Sequence, residues 1–341
     1  VKITAKLVTG LLALGLLAAP TQVASAETDT NLTQAISTYL ANQPGDYSVT
    51  AIELGGAGRE VHLNDRLAVD PASIFKLYYA LFALEKVQQA KWSLNTRLGS
   101  NYKVGTCLKL MISYSDNECA ADFRKKLGSK YINSRLSSLG FSESRIFLDS
   151  RGNYRTKRTS TADVARFLEM LDRGQLLGAE QTTRLRNHLK AQIWRARISS
   201  ALQAGTQVAS KSGQLLTKSG MIEADSAIIY GPRSNYILVV IGRNDATGSV
   251  VRGISDLVYR AWQGPITAAS NYPKAQMVTI SKSNFRSTPG GRVIRALPAN
   301  TAVTVEWNSR GWVYVKVGTR KGYLYHNTLR LSDRYLRWGT P

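Results

Sequence analysis

Acidic residues are scarce in this 341-residue chain: 23 Asp and Glu stand against 45 Lys and Arg, a formal net charge of +22. Either the surface is a solvated cation that keeps the protein soluble, or it attracts an anionic polymer. Outside a cell that means a wall polymer or a lipid surface, and inside it a nucleic acid. Long apolar runs are also missing. Past residue 26 no stretch can span a bilayer, because the most apolar one, behind Ser73, carries Lys76 and Glu85 at its ends. Cysteine is nearly absent. None stands at the small-residue site Ala24-Ser25-Ala26, so a lipid anchor is not indicated, and the two present are Cys107 and Cys119.

The N-terminal residues choose between these environments. Lys2 and Lys6 precede an apolar run at 7–19 that is too short to cross a membrane, and Ala24-Ser25-Ala26 follows before Glu27. This order predicts a cleaved secretory signal peptide over 1–26 and a secreted, soluble mature chain. Nucleic acid is then excluded as the natural partner, and no transmembrane segment is expected after cleavage. In an oxidising compartment the two cysteines read as a disulfide, or else as two buried thiols. A bond closing so short a loop contributes about 2–4 kcal/mol.

The pattern of elements divides the chain. A helix is expected over 31–42, strands over 47–54 and 59–63, and a helix apolar on all sides from Ser73. Residues 105–178 read as mostly helical, with breaks at Ser115, Gly128 and Gly140, a polar loop over 148–159 and a helix over 160–171. One or two helices fill 181–202, strands return at 207–211, 227–230 and 236–242, and a helix covers 250–262. Two early and three late strands with helices between predict an α/β unit, an antiparallel five-stranded sheet flanked by helices. Residues 264–276 are a linker, 277–331 a small all-β barrel of short strands and turns, and 332–341 a tail.

Three short motifs carry chemistry. The first is Pro71-Ala72-Ser73-Ile74-Phe75-Lys76, a loop entering the apolar helix. Ser73 and Lys76 lie one turn apart on one face at its N-terminal end. A desolvated lysine loses its proton easily and the helix end favours developing negative charge, so Ser73 has the parts of an activated nucleophile. The plainer reading is a cap over a core helix. A second Ser-x-x-Lys, Ser100 to Lys103, has no apolar helix behind it. The second motif is Ser115-Asp116-Asn117 at a helix break. The third is Lys211-Ser212-Gly213 at a strand end; its second copy, Lys218-Ser219-Gly220, reads better as a hairpin turn.

In this order and context, residues 45–262 resemble the class A β-lactamase-like, penicillin-recognising serine hydrolases. The resemblance implies a hydrolase domain over 27–263 that forms an acyl-enzyme at Ser73 with β-lactams or with the D-Ala-D-Ala end of peptidoglycan peptides. Lys76 would take the serine proton and Ser115 would relay one to the leaving nitrogen. Asn117 would hold the acyl side-chain amide. Lys211 and Ser212 would bind the carboxylate, and the backbone N–H groups of Ser73 and Gln214, flanking Gly213, would form the oxyanion hole. No cofactor and no metal are implied.

The chain departs from the family in one loop. The family's deacylating glutamate sits in Glu-x-x-x-Asn, whereas 148–156 here contains none. Gly152 falls near the expected carboxylate, and Asp149, the nearby acid, reads as structural. Loss of a general base costs about 10²–10⁴-fold, so deacylation is expected to be slow. The alternative is a non-hydrolytic module that binds or senses β-lactams or wall peptides. The family's guanidinium by the carboxylate pocket is also missing from 221–225, with Arg252 as a substitute.

Residues 277–331 resemble a bacterial SH3-like domain through Asn284-Phe285-Arg286-Ser287-Thr288-Pro289, Gly311-Trp312-Val313-Tyr314-Val315 and Lys321-Gly322-Tyr323-Leu324. The resemblance implies attachment to the cell wall. From Lys274 onward there are 12 Lys and Arg against 2 Asp and Glu, which with Trp312, Tyr314, Tyr323 and Tyr325 suits an anionic or peptidoglycan surface.

Overall fold

The larger sheet is assembled from both ends of its unit. The computed structural model describes residues 27–99 and 101–336. The expected signal peptide (1–26), Ser100 and the last residues of the tail (337–341) lie outside the described residues. The chain runs β1 (Glu27–Thr28), α1 (Thr30–Leu40), β2 (Asp46–Leu54), β3 (Arg59–Leu63), α2 (Lys76–Gln88), α3 (Val104–Ser113), α4 (Asn117–Leu127) and α5 (Ser129–Ser138). It continues through β4 (Arg145–Leu148), β5 (Tyr154–Arg158), α6 (Thr161–Asp172), α7 (Ala179–Lys190), α8 (Ile198–Ala201), β6 (Gln207–Thr217), β7 (Gly220–Tyr230), β8 (Asn235–Arg243) and α9 (Gly248–Gln263).

The sheet has six strands in the order β1-β3-β2-β8-β7-β6, not the five expected. The extra strand, β1, is two residues long and pairs parallel with β3 through Glu27↔Arg59 and Thr28↔Glu60. Two residues carry no alternation, so nothing in the pattern announced it. The other pairings are antiparallel. The strands at 207–211 and 227–230 are longer than expected: β6 and β7 pair from Gln207↔Tyr230 to Thr217↔Gly220, with Lys218-Ser219 as the turn. Lys211-Ser212-Gly213 therefore lies within a strand rather than at its end. Its continuation, Gln214-Leu215-Leu216-Thr217, is not buried and is held by the ladder alone.

Both faces of the sheet are covered. α1 and α9 pack on one through Leu32, Ile36, Ile254, Val258 and Trp262 against Val49, Ala51, Leu238 and Val240. On the other face Ile228, Ile237, Val239 and Ile241 meet the large core built around α2. Every residue from Lys76 to Glu85 is buried, as a helix without a polar face requires. Glu85, at the buried end, is neutralised by Arg135 at 2.7 Å.

The stretch read as a loop over 148–159 is half strand. β4 and β5 form a hairpin from Arg145↔Arg158 to Leu148↔Tyr154. Tyr154-Arg155-Thr156-Lys157-Arg158 is too charged to show the apolar alternation of a strand.

Beyond α9 lie β9 (Gln276–Thr279), β10 (Ser283–Arg286), β11 (Val293–Leu297), β12 (Ala302–Ser309), β13 (Trp312–Val317), β14 (Arg320–Tyr325) and β15 (Leu329–Leu331). They form one seven-stranded sheet in the order β11-β10-β14-β13-β12-β9-β15, two strands more than the pattern showed. Phe285, Val305, Val313, Val315, Leu324 and Leu329 are its buried centre. This all-β unit packs on the larger one. Tyr102 donates to the Arg310 carbonyl at 2.7 Å, and Tyr335 donates to the Ile193 carbonyl at 2.9 Å. The His326 ring lies edge-on to Tyr102 and Tyr114 at 6.3 and 6.4 Å. The connecting segment is tied down as well, with the Ser270 N–H on the Leu202 carbonyl at 2.9 Å. Among the described residues no helix is long and apolar enough to cross a membrane.

Candidate active site

Ser73 sits in a 3₁₀ turn, Ala72–Phe75, and α2 begins only at Lys76. The turn is forced. Ala72 has φ +49°, and its N–H is held by Asp70 Oδ1 at 2.8 Å. A non-glycine residue in this region costs of the order of 1 kcal/mol and persists only where its surroundings impose it. Ser115, between α3 and α4, is a second such residue at φ +62°. Asp116 then caps α4 by accepting the Cys119 N–H at 3.0 Å. Two strained residues thus aim two hydroxyls at one point.

Lys76 occupies that point. It is 5% exposed, and its Nζ donates to Ser73 Oγ at 3.0 Å, the Ser115 carbonyl at 2.6 Å, Ser115 Oγ at 3.3 Å and Asn117 Oδ1 at 2.7 Å. Burial lowers its pKa to about 7; the Asp116 carboxylate opposes the shift and the Lys157 charge adds to it. Lys211, also buried, donates to Ser115 Oγ at 2.9 Å and to the Ser212 carbonyl at 2.6 Å. Burial, then repulsion from Lys76, pushes it well below the usual lysine range. Ser73, Lys76, Ser115 and Lys211 are therefore one unbroken chain of hydrogen bonds. The disulfide expected as one alternative is formed: Cys107 of α3 is bonded to Cys119 of α4, with Cα atoms 5.1 Å apart, and it brackets Ser115.

The backbone of β6 passes directly beside Ser73. A Cβ on Gly213 would lie 2.9 Å from the Ser73 nitrogen, 2.9 Å from the Pro71 carbonyl oxygen and 3.1 Å from Ala72 Cβ, so this position needs glycine. The Gln214 side chain turns away to Glu223 on β7. A cavity of about 280 Å³ opens at Ser73, lined also by Lys76, Asn117, Arg124, Tyr154, Lys157 and Gln214. A larger one, about 830 Å³, lies in the seam between the two units beside Tyr114 and Met277, but none of the three motifs' polar side chains line it.

Ser73, Lys76, Ser115, Asn117, Lys211, Ser212, Gly213 and Gln214 are thus brought together. The competing copies are not: Lys218 stands in the β6–β7 turn, and Lys103 is exposed and bonded to Asn95. Arg252 is bonded to Asn271, outside the motif cluster. The guanidinium that does lie behind β6 is Arg197, ion-paired to Glu223, and its charge acts on both Lys211 and Asp225. It precedes the four-residue α8, and no motif marks it. Asp149 is exposed and accepts the N–H groups of Arg151 and Asn153 at 2.9 and 2.8 Å, which closes the hairpin turn. Gly152 is at the hairpin tip with no neighbour within 4 Å of a Cβ placed there. It does not reach the cavity. The hairpin residues that do are Tyr154 and Lys157, and Lys157 is paired with Asp70 at 3.0 Å.

The fold and sequence have known relatives. A search of curated proteins finds no match. Solved structures do match. PBP-A aligns with a TM-score of 0.64 at 19% identity over 70% of this chain and 98% of its own. A single-residue mutant of PBP-A, in an acyl-enzyme complex with penicillin G, aligns with 0.63 at 19% over the same shares. A β-lactamase from Chitinophaga pinensis aligns with 0.60 at 19% over 68% of this chain and 99% of its own. Residues 31–262, more than half of the chain, match the model of the β-lactamase enzyme family. The chain belongs to that family and is a β-lactamase-like serine hydrolase.

Proposed function

We propose that Ser73 is acylated by β-lactams or by the D-Ala-D-Ala end of wall peptides, and that the acyl-enzyme is long-lived. The observation that carries this is the hydrogen-bonded chain from Ser73 Oγ through Lys76 and Ser115 to Lys211. Neutral Lys76 takes the Ser73 proton as Oγ bonds to the carbonyl carbon. The oxyanion is met by the N–H groups of Ser73 and Gln214. The C–N bond breaks as Ser115 protonates the nitrogen and draws a proton from Lys76 in turn. Asn117 keeps its amide N–H₂ for the acyl side chain, because its oxygen is used by Lys76. Lys211, Ser212 and the charge of Arg197 receive the substrate carboxylate. That a neighbour of this fold is an acyl-enzyme with penicillin G supports the reading.

Release of the acyl group is the weak step. Among the described residues no carboxylate lines the cavity, and Lys157 stands on the hairpin edge instead. An ammonium cannot take a proton from the attacking water. The same fact favours a second reading, a sensing module that keeps its adduct. We place the mature protein outside the cell, held at the wall by an SH3-like C-terminal unit. There Trp307, Tyr314 and Tyr323 pack across strands in tilted and edge-on contacts with ring centroids 4.8–5.6 Å apart, and Trp312 lies edge-on to Tyr325 at 5.2 Å.

Intact-mass spectrometry of the mature protein with penicillin, followed over time, tests the site. A persistent adduct absent from Ser73→Ala supports slow deacylation. An adduct that vanishes over many turnovers refutes that part, and labelling of Ser73→Ala as fast as wild type refutes the nucleophile.

A further inference from the structure

The cavity at Ser73 is ringed by cations that the acyl-transfer steps do not use. Arg124 and Lys157 line it together with Tyr79, Tyr154 and Leu215. Lys157 is already ion-paired with Asp70, whose Oδ1 it contacts at 3.0 Å. Arg124 is different. Among the described residues no carboxylate forms a salt bridge with it; its guanidinium lies over the Tyr154 ring at 4.2 Å, a contact that fixes its direction but leaves its charge unneutralised.

The helix explains why it faces the site. Asn117, Ala120, Ala121 and Arg124 all line the cavity, at the three- and four-residue spacings of one α4 face. Helical side chains tilt toward the N-terminus, so the long arginine reaches back toward Asn117 over two alanines that leave the path open. An acyl side chain held at its amide by Asn117 would run along this path toward the guanidinium.

We infer that the favoured acyl donor carries a carboxylate on the side chain next to the amide that Asn117 holds, and that Arg124 reads it. The inference rests on the acylation proposed above and names its substrate class: anionic peptides or β-lactams over neutral ones, with cationic ones last. Arg124 is a specificity residue and takes no part in the proton transfers.

Three penicillins that differ only at the side-chain α-carbon test it on the full mature chain: carbenicillin (carboxylate), benzylpenicillin (hydrogen) and ampicillin (ammonium). The readout is the second-order rate constant of Ser73 acylation. Carbenicillin is expected to react about tenfold faster than benzylpenicillin, as one charge-assisted hydrogen bond allows, with ampicillin slowest. Arg124→Gln should bring the carbenicillin-to-benzylpenicillin ratio to within about twofold of one, whereas Arg124→Lys should keep the order. The chain's net charge of +22 attracts any anion, so a preference that survives Arg124→Gln overturns the assignment, as does equal reactivity of carbenicillin and benzylpenicillin. If none of the three acylates Ser73, the acylation reading falls, and this inference with it.

Discussion

Adding one methyl group at Gly213 tests whether the β6 backbone is part of the site. Built on the present backbone, that carbon meets Pro71 oxygen and Ser73 nitrogen at 2.9 Å and Ala72 Cβ at 3.1 Å. Carbon contacts are comfortable at about 3.5 Å and beyond, so the overlap is roughly half an ångström. None of the three atoms can rotate away, since two are main chain and the third is a Cβ. β6 must slide from the 3₁₀ turn, and the N–H groups of Ser73 and Gln214 separate by a similar distance. Oxyanion donors act at about 2.7–3.1 Å, and loss of one costs about 10²–10³-fold. The expected result for Gly213→Ala is acylation by penicillin slowed about 10²-fold, with about 1–3 kcal/mol of stability lost to overpacking. Stopped-flow acylation and thermal unfolding measure the two effects. Ser219→Ala, in the β6–β7 turn, should stay within about twofold as a control. Gly213→Ala acylating within about threefold of wild type would show that the Gly213–Gln214 backbone does not hold the oxyanion.

Three further outcomes follow from buried groups. Lys76 must be neutral to act and has its pKa near 7, so the acylation rate constant should rise with pH through about 7; a flat profile from pH 5.5 to 8 counts against Lys76 as base. Reduction of Cys107–Cys119, which closes a separation of 12 residues, should lower stability by about 3 kcal/mol, and an unchanged urea midpoint with and without reductant would contradict this. His326 is buried between the two units, and burial, then the Lys109 charge, lowers its pKa to about 4. The unfolded chain binds this proton first, so stability present above pH 6.5 is lost as pH falls toward 4, by at most about 3 kcal/mol. Thermal unfolding at pH 7 and pH 5 should therefore differ less in His326→Asn than in wild type, and equal differences would remove His326 from the account.

The parts of the site legible in the sequence are those bound to a motif. Ser73, Lys76, Ser115, Asn117 and Lys211 are named by spacing and context, and the all-apolar helix behind Ser73 declares the core. What the pattern hid has physical reasons. β1 is two residues long and β10 is Ser-Asn-Phe-Arg, so neither carries enough alternation to read as a strand. The hairpin β4–β5 hid because its residues are charged, and that error placed Gly152 at the cavity where Tyr154 and Lys157 stand. Arg197 comes to lie behind β6 from a loop through tertiary packing alone, and Arg124 reaches the cavity through a helix face that shows only once α4 is oriented. The choice between Lys211 and Lys218 was legible because Ala209 and Ser210 lead into the first and a two-residue turn surrounds the second.

The missing glutamate changes both halves of the reaction. A carboxylate at the cavity edge would stabilise the ammonium form of Lys76: at about 6 Å and an effective dielectric near 20, a unit charge is worth about 3 kcal/mol, or about two pKa units. Lys76 would then be protonated at neutral pH and unable to accept from Ser73 without first passing its proton on. Here the edge holds Lys157 instead, whose charge lowers Lys76 further and is itself only offset by Asp70. The lysine proposed to start acylation is therefore close to half neutral near pH 7, while among the described residues no carboxylate lines the cavity to serve the water that would end it. A site with a carboxylate there must route protons between two bases to turn over. On the slow release proposed above, this one has its base placed for the first step, and the electrostatics that ready Ser73 for attack would be the same that leave its ester standing.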